Sequence, residues 1–236
     1  MGRKDLFRFK QFDIIQEHAA MKVGTDSDLL GALAEGGSDI LDIGTGTGVI
    51  ALLMAQRFAE AKVTGIDIDE NAIIDAQQNF ANSKFANRLS LKHIAFQDFV
   101  DSTSAASFDC IVCNPPYFHK SQECDNLSRT RARHTSSLPF PVLVQGAYNL
   151  LRDGGVFSVC IPPEVLEEFS KECIFKGFWL QHMYKIKSVP EKEPKRYILV
   201  HKKGSPGTVE VHTACMYDTN RQRSQWYDQL MSDYLL

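Results

Sequence analysis

Two patterns of apolar residues alternate along this chain from residue 38 to about residue 175. Short, nearly unbroken apolar runs occur at Asp39–Ile43, at Lys62–Ile68, at Leu89–Ile94, at Phe108–Cys113 and at Val156–Ile161. Runs of that length and composition predict strands buried on both faces, as in a parallel sheet. Between them the spacing turns helical: Val49 to Phe58, Pro139 to Leu151 and Glu164 to Phe175 each repeat apolar residues every three or four positions. Strand and helix in alternation predict an α/β fold. The last third reads differently. Trp179–Ser188 and Arg196–Lys202 form an antiparallel pair joined by Pro190 to Pro194, Thr208–Thr213 is a further strand, and Gln222–Tyr234 is a closing helix. At the front, Thr25-x-x-Asp28 resembles a capping box opening a helix that carries Leu29, Leu30 and Leu33. One domain is expected over residues 1–236, with a cover at 1–37, a core at 38–175, and a hairpin and helix at 176–236.

The strand ends carry the candidate chemistry. After the first strand come Gly44, Gly46 and Gly48, a G-x-G-x-G turn leading into a helix. A dinucleotide fingerprint needs glycine or alanine at position 49, where Val49 stands. Asp42, just ahead of the turn, sets a carboxylate near the ligand. This suits a cationic ligand bearing an ammonium and a sulfonium, S-adenosylmethionine, better than a pyrophosphate. The second strand ends in Asp67-Ile68, where an acid binds ribose hydroxyls in doubly wound folds. The third leads to Asp98-Phe99, a pair able to bond and flank an adenine ring or, as the plainer alternative, to cap a turn. The fourth ends in Asn114-Pro115-Pro116-Tyr117. Asn114 offers a side-chain carbonyl, Pro115 a backbone carbonyl of restricted direction, and Tyr117 a flat face for stacking. Two acceptors beside a stacking platform can hold a weakly nucleophilic NH2 group against an electrophilic methyl. Taken alone, the same residues are a strand closed by a Pro-Pro breaker.

These runs, Asp42 to Gly48, Gly65 to Asp69 and Asn114 to Tyr117, resemble those of the class I Rossmann-like methyltransferases that act on exocyclic or amide nitrogens. The likeness covers roughly residues 38–165. The segment Met21 to Ala32, the run Lys195 to Val200 and the ending Tyr234-Leu235-Leu236 resemble one subgroup, the tRNA1(Val) (adenine-37 N6)-methyltransferases. One departure is Arg221-Gln222-Arg223-Ser224, where the subgroup suggests a Tyr-Ser pair. The resemblance implies a mostly parallel seven-stranded sheet with an antiparallel C-terminal hairpin and helices on both faces. It implies S-adenosylmethionine as cofactor, with Lys22 and Thr25 near its methionine end, and a tRNA acceptor methylated at an adenine N6.

Composition bears on the acceptor and the compartment. The net charge of −3 says nothing for nucleic acid, but its distribution does. Residues 185–203 hold seven basic residues, Lys195 and Arg196 among them, against two acidic ones. Lys120, Arg129, Arg131 and Arg133 follow the Asn-Pro-Pro-Tyr run closely and suit a phosphate backbone; a solvated charged face is the plainer reading. The six cysteines form no framework. Cys110 and Cys113 sit at i, i+3 in a strand, so they point to opposite faces and are expected in the core, with no metal. No signal peptide and no membrane span are expected, and a cytoplasmic monomer is. Three rivals share parts of this pattern: a protein glutamine N5-methyltransferase, an rRNA guanine N2-methyltransferase, and a non-catalytic RNA-binding protein on the same fold. The intact glycine turn, Asp67 and the Asn-Pro-Pro-Tyr run argue against the last.

Overall fold

Alternation along each central strand sets the architecture. In β3 (Asp39–Ile43), Ile40 packs into one hydrophobic cluster and Leu41 into another. In β6 (Phe108–Cys113), Cys110 and Val112 join the first cluster, Ile111 and Cys113 the second. The period-2 pleat thus divides the core into two halves, one on each face of a sheet. The two cysteines fall on opposite faces as the spacing required.

A computed structural model describes residues 5–115, 138–204 and 206–236. Its main sheet continues through β4 (Lys62–Asp67), β5 (Leu89–His93), β7 (Leu151–Ile161), β8 (Phe178–Lys187), β9 (Arg196–Lys203) and β10 (Glu210–Cys215). Strand order is β10-β8-β9-β7-β6-β3-β4-β5. The strands from β5 to β7 are parallel, and β9 runs antiparallel between β7 and β8. The sheet therefore has eight strands, one more than seven, because β10 adds to the edge in parallel with β8. A separate antiparallel pair, β1 (Leu6–Arg8) and β2 (Asp13–Ile15), lies at the front of the chain.

Helices α1 (Thr25–Leu33), α2 (Val49–Arg57), α3 (Glu70–Asn82) and α7 (Gln225–Met231) supply the first cluster; α4 (Phe96–Ser102), α5 (Phe140–Leu150) and α6 (Leu166–Lys176) supply the second. Two starts differ from expectation. Helix α1 is capped at Gly24: the Ser27 hydroxyl donates to the Gly24 carbonyl at 2.7 Å and accepts from its N–H at 3.3 Å, so the box is closed by Ser27 and not by Asp28. Helix α7 begins behind Ser224, whose hydroxyl accepts from the Tyr227 N–H, three residues later than Gln222. Among the described residues no helix is long and apolar enough to cross a membrane.

The chain runs outward from β3 through β4 to β5, then crosses back to β6 on the other side of β3. That reversal opens a crevice at the C-terminal ends of β3 and β6, the place where open parallel sheets bind ligands.

Candidate active site

A cavity of about 800 Å³ opens at that crevice. The glycine turn after β3 forms its floor. Gly44, Gly46 and Gly48 all take left-handed φ, at 68°, 57° and 83°. Open space surrounds a Cβ built at Gly44 or Gly46, so there the dihedral demands glycine; at Gly48 a Cβ would also meet the Phe80 ring at 2.4 Å. Gly44 and Gly46 line the cavity, whereas Gly48 lies behind it as the N-cap of α2.

Asp67 ties the floor to the next wall. One carboxylate oxygen accepts from the Gly46 N–H at 2.8 Å, the other from the Asp69 N–H at 2.9 Å. Each oxygen keeps a second lone pair, and the residue lines the cavity with Ile68, which is 58% exposed. A bare isoleucine on that rim gives a flat apolar ligand something to lie against.

Asp42 sits beneath the turn. It is fully buried behind the turn, outside the cavity lining, and accepts from the Thr45 hydroxyl at 2.6 Å. Burial pushes its carboxyl up to about 7, against the Thr45 hydroxyl and the Ala51 backbone, which hold it down. One oxygen thus fixes the turn from beneath, while the other, Oδ1, has no hydrogen-bond partner among the described residues.

The remaining walls come from four segments. The stretch from Ala19 to Ser27 includes Lys22 and Thr25, and Lys22 Nζ donates to Asp5 Oδ1 at 2.9 Å. Buried Asp75 and Asn79 of α3 hold this stretch in place. Asp75 accepts from the His18 and Ala19 N–H groups; Asn79 bonds both backbone groups of Ile15 and the carbonyl of Thr47. From α4, Asp98 lines the cavity in the first turn of the helix. Phe99 does not: it is 1% exposed and packs against Phe108, because the next residue along a helix points about 100° away. Phe96 and Gln97 face the cavity instead.

Asn114 and Pro115 close the far side at the end of β6. Asn114 Oδ1 is buried and accepts no hydrogen bond among the described residues. Buried acceptors are rarely left unpaired, since the desolvation cost is about 1–3 kcal/mol. Pro116, Tyr117, Arg129, Arg131 and Arg133 lie outside the described residues.

Arg196 also lines this cavity, on the side of Asp26. Its Nε lies 2.5 Å from Asp26 Oδ1 as an ion pair without hydrogen-bond geometry, and the side chain is 19% exposed. That placement sets it in the wall of the crevice. Asp28, close behind, has its carboxyl pushed up to about 7 by burial and by the Asp26 charge. Lys195 is exposed, outside the lining. Of the seven basic residues at 185–203, Lys203 is also engaged internally, donating to the Leu151 carbonyl at 2.8 Å.

A glycine-turned crevice between β3 and β6, with an acid at the end of β4, fits an adenosine-type ligand. The family model for the methyltransferase small domain matches residues 18–161, spanning every wall described except Arg196. In fold, the chain is similar to a predicted O-methyltransferase from Agrobacterium tumefaciens, with a TM-score of 0.69 at 20% identity over 89% of this chain and 96% of the other. The fold and matched domain define an S-adenosylmethionine-dependent methyltransferase of the Rossmann-like class.

Curated relatives narrow this further. A tRNA1(Val) (adenine(37)-N6)-methyltransferase from Phocaeicola vulgatus is 44% identical over 198 residues, 83% of each chain. One of the same name from Bacteroides thetaiotaomicron is 36% identical over 233 residues, 98% of this chain and 97% of the relative. The chain belongs to the tRNA1(Val) (adenine(37)-N6)-methyltransferase family.

Sequence reasoning missed Asp26, Phe96 and Arg196 as wall residues. Phe96 had a signal, as the first residue of a helix opening just past a parallel strand. Arg196 had none, since only the insertion of β9 beside β7 carries it to the crevice.

Proposed function

We propose that this enzyme methylates the N6 amine of adenine 37 in the anticodon loop of a tRNA1(Val)-type tRNA, in the cytoplasm, working as one domain. The observation that carries the reading is that Asn114 and Pro115 line the cofactor cavity and that the buried Asn114 Oδ1 has no hydrogen-bond partner among the described residues. An acceptor kept unpaired at that cost is set to receive a donor from a ligand.

When bound, S-adenosylmethionine supplies a methyl group activated on a sulfonium. Asp67 accepts from its ribose hydroxyls, Ile68 and Phe96 flank the adenine, Asp98 accepts from the adenine amine, and Lys22, Thr25 and Arg196 lie toward the methionine end. Arg196 is the group suited to the carboxylate there, with Asp26 holding it in place.

The acceptor nitrogen is a poor nucleophile because its lone pair is delocalised into the ring. Asn114 Oδ1 and the Pro115 carbonyl accept its two hydrogens, which favours a pyramidal nitrogen with its lone pair aimed at the methyl. Positioning does most of the work. The N–C bond forms as the S–C bond breaks, and the acidic ammonium then releases one proton to water. No strong base is needed. Tyr117 stacks on the base, and Arg129, Arg131, Arg133 and Lys195 engage phosphates. An anticodon loop allows the base to be splayed out at modest cost.

Incubation with tritiated S-adenosylmethionine and total tRNA, followed by digestion to nucleosides, tests this. Label in N6-methyladenosine supports it. Label in a methylated guanosine, or in protein glutamine only, overturns it.

A further inference from the structure

Away from the cofactor crevice, the eighth strand brings together three side chains that the methyl-transfer chemistry does not use. In the β8–β10 register Glu210 lies opposite His182, and His212 opposite Tyr184. Alternate residues share a face, so all four project from the same side of the sheet. One donor atom from each of His182, Glu210 and His212 lies within 4.8 Å of the other two. Glu210 Oε2 is 3.4 Å from His182 Nδ1 and 3.5 Å from His212 Nε2. In a tetrahedral site with bonds of about 2.0 Å, neighbouring donors sit about 3.3 Å apart. The contacts to Glu210 are already close to that spacing.

The cluster is also oriented. His182 Nδ1 is buried and has no hydrogen-bond partner among the described residues. Its other nitrogen, Nε2, lies 3.2 Å from Glu35 Oε1, just past the end of α1. A carboxylate there holds the proton on Nε2 and leaves the Nδ1 lone pair directed at Glu210 and His212. This is the outer arrangement that orients metal-bound imidazoles. Tyr184 stacks on the His212 ring at 4.7 Å and limits its swing.

We propose that His182, Glu210 and His212 bind one divalent transition-metal ion of the zinc class, with Glu35 as the outer carboxylate, and that the ion clasps edge strand β10 to β8. Two imidazoles and one carboxylate suit zinc and its neighbours and disfavour magnesium and calcium. The fourth position is open to water on the exposed side. The ion has no part in methyl transfer, because β10 and β8 form one lateral edge of the sheet and none of the three residues lines the crevice.

The test uses the tag-free full chain, stripped with chelator and dialysed against micromolar zinc with millimolar magnesium present. Bound metal is counted and thermal unfolding recorded. One zinc per chain is expected, with a rise in Tm that chelator reverses. His182→Ala and His212→Ala should abolish uptake, and Glu35→Gln should weaken it roughly 10–100-fold. His212 is 44% exposed at the sheet edge, so its variant folds and carries the test even where the His182 variant does not. Failure of the wild type to take up zinc overturns the proposal. So does uptake that survives in His212→Ala, which would place the metal on other residues such as the cysteines.

Discussion

Replacing Asp67 by alanine cuts two hydrogen bonds at once, those from the Gly46 and Asp69 N–H groups at 2.8 and 2.9 Å. Hydrogen bonds to a charged group contribute about 1.5–3 kcal/mol each when buried. Asp67 is only partly buried, so a combined stability loss of about 2–4 kcal/mol is expected, read as a lower denaturant midpoint. The cofactor should suffer separately. Losing the acceptor for ribose hydroxyls weakens S-adenosylmethionine binding by about 1–3 kcal/mol, a factor of roughly 5 to 150 in Kd. Calorimetric titration well below the variant's Tm keeps unfolding out of that number. Asp67→Asn should fall close to alanine, because the amide keeps one acceptor and turns its NH2 toward a backbone N–H. Unchanged Kd in both variants would remove Asp67 from the ribose site. Unchanged stability would refute its bridging of the two turns.

Other expectations follow from the same geometry. Asn114→Ala should lower kcat on the order of 100-fold through misplacement of the amine while sparing cofactor affinity. Because the buried Oδ1 it removes has no partner among the described residues, Tm should hold or rise; a clear fall in Tm with activity kept would make Asn114 structural. Replacing Arg129, Arg131 and Arg133 together should raise KM for tRNA and flatten the salt dependence of binding by about 2 in log–log slope, at about 0.7 per lost phosphate contact. An unaltered slope would take these residues off the RNA. Asp42 carries a pH signature. Its folded carboxyl is raised to about 7, so the stability it adds is full below the unfolded value of 3.8 and is lost as pH rises through about 7. Relative to Asp42→Asn, in which Asp28 titrates unchanged, the wild type should lose about 2 kcal/mol between pH 5 and 7. A constant difference across that range contradicts a buried, protonated Asp42.

What the sequence made legible was local. The glycine turn, the acid after β4 and the Asn-Pro run each sit at the end of a strand visible from its apolar run, and the parallel order brings those ends together. One boundary misled for a physical reason. The strand expected at Val156–Ile161 begins earlier, at Leu151, and runs through Asp153-Gly154-Gly155, with Gly154 at φ 78° and the pairing with β6 shifted at that point. The glycines absorb an irregularity inside a strand without ending it. The long-range placements had no local signal. Arg196 reaches the crevice only through β9, and the His182–Glu210–His212 group exists only in the β8–β10 register, 28 residues apart along the chain. A search for metal ligands by spacing finds the cysteines instead, which the core absorbs.

The central claim is methyl transfer to one amine on one nucleotide. The most direct measurement offers the enzyme two tRNA1(Val) transcripts, one with adenine at position 37 and one with guanine there, and maps the methyl by mass spectrometry of nuclease fragments. One N6-methyl is expected at adenine 37 in the first transcript and none in the second. Equal methylation of both, or a methyl mapped to any other nucleotide, would contradict it.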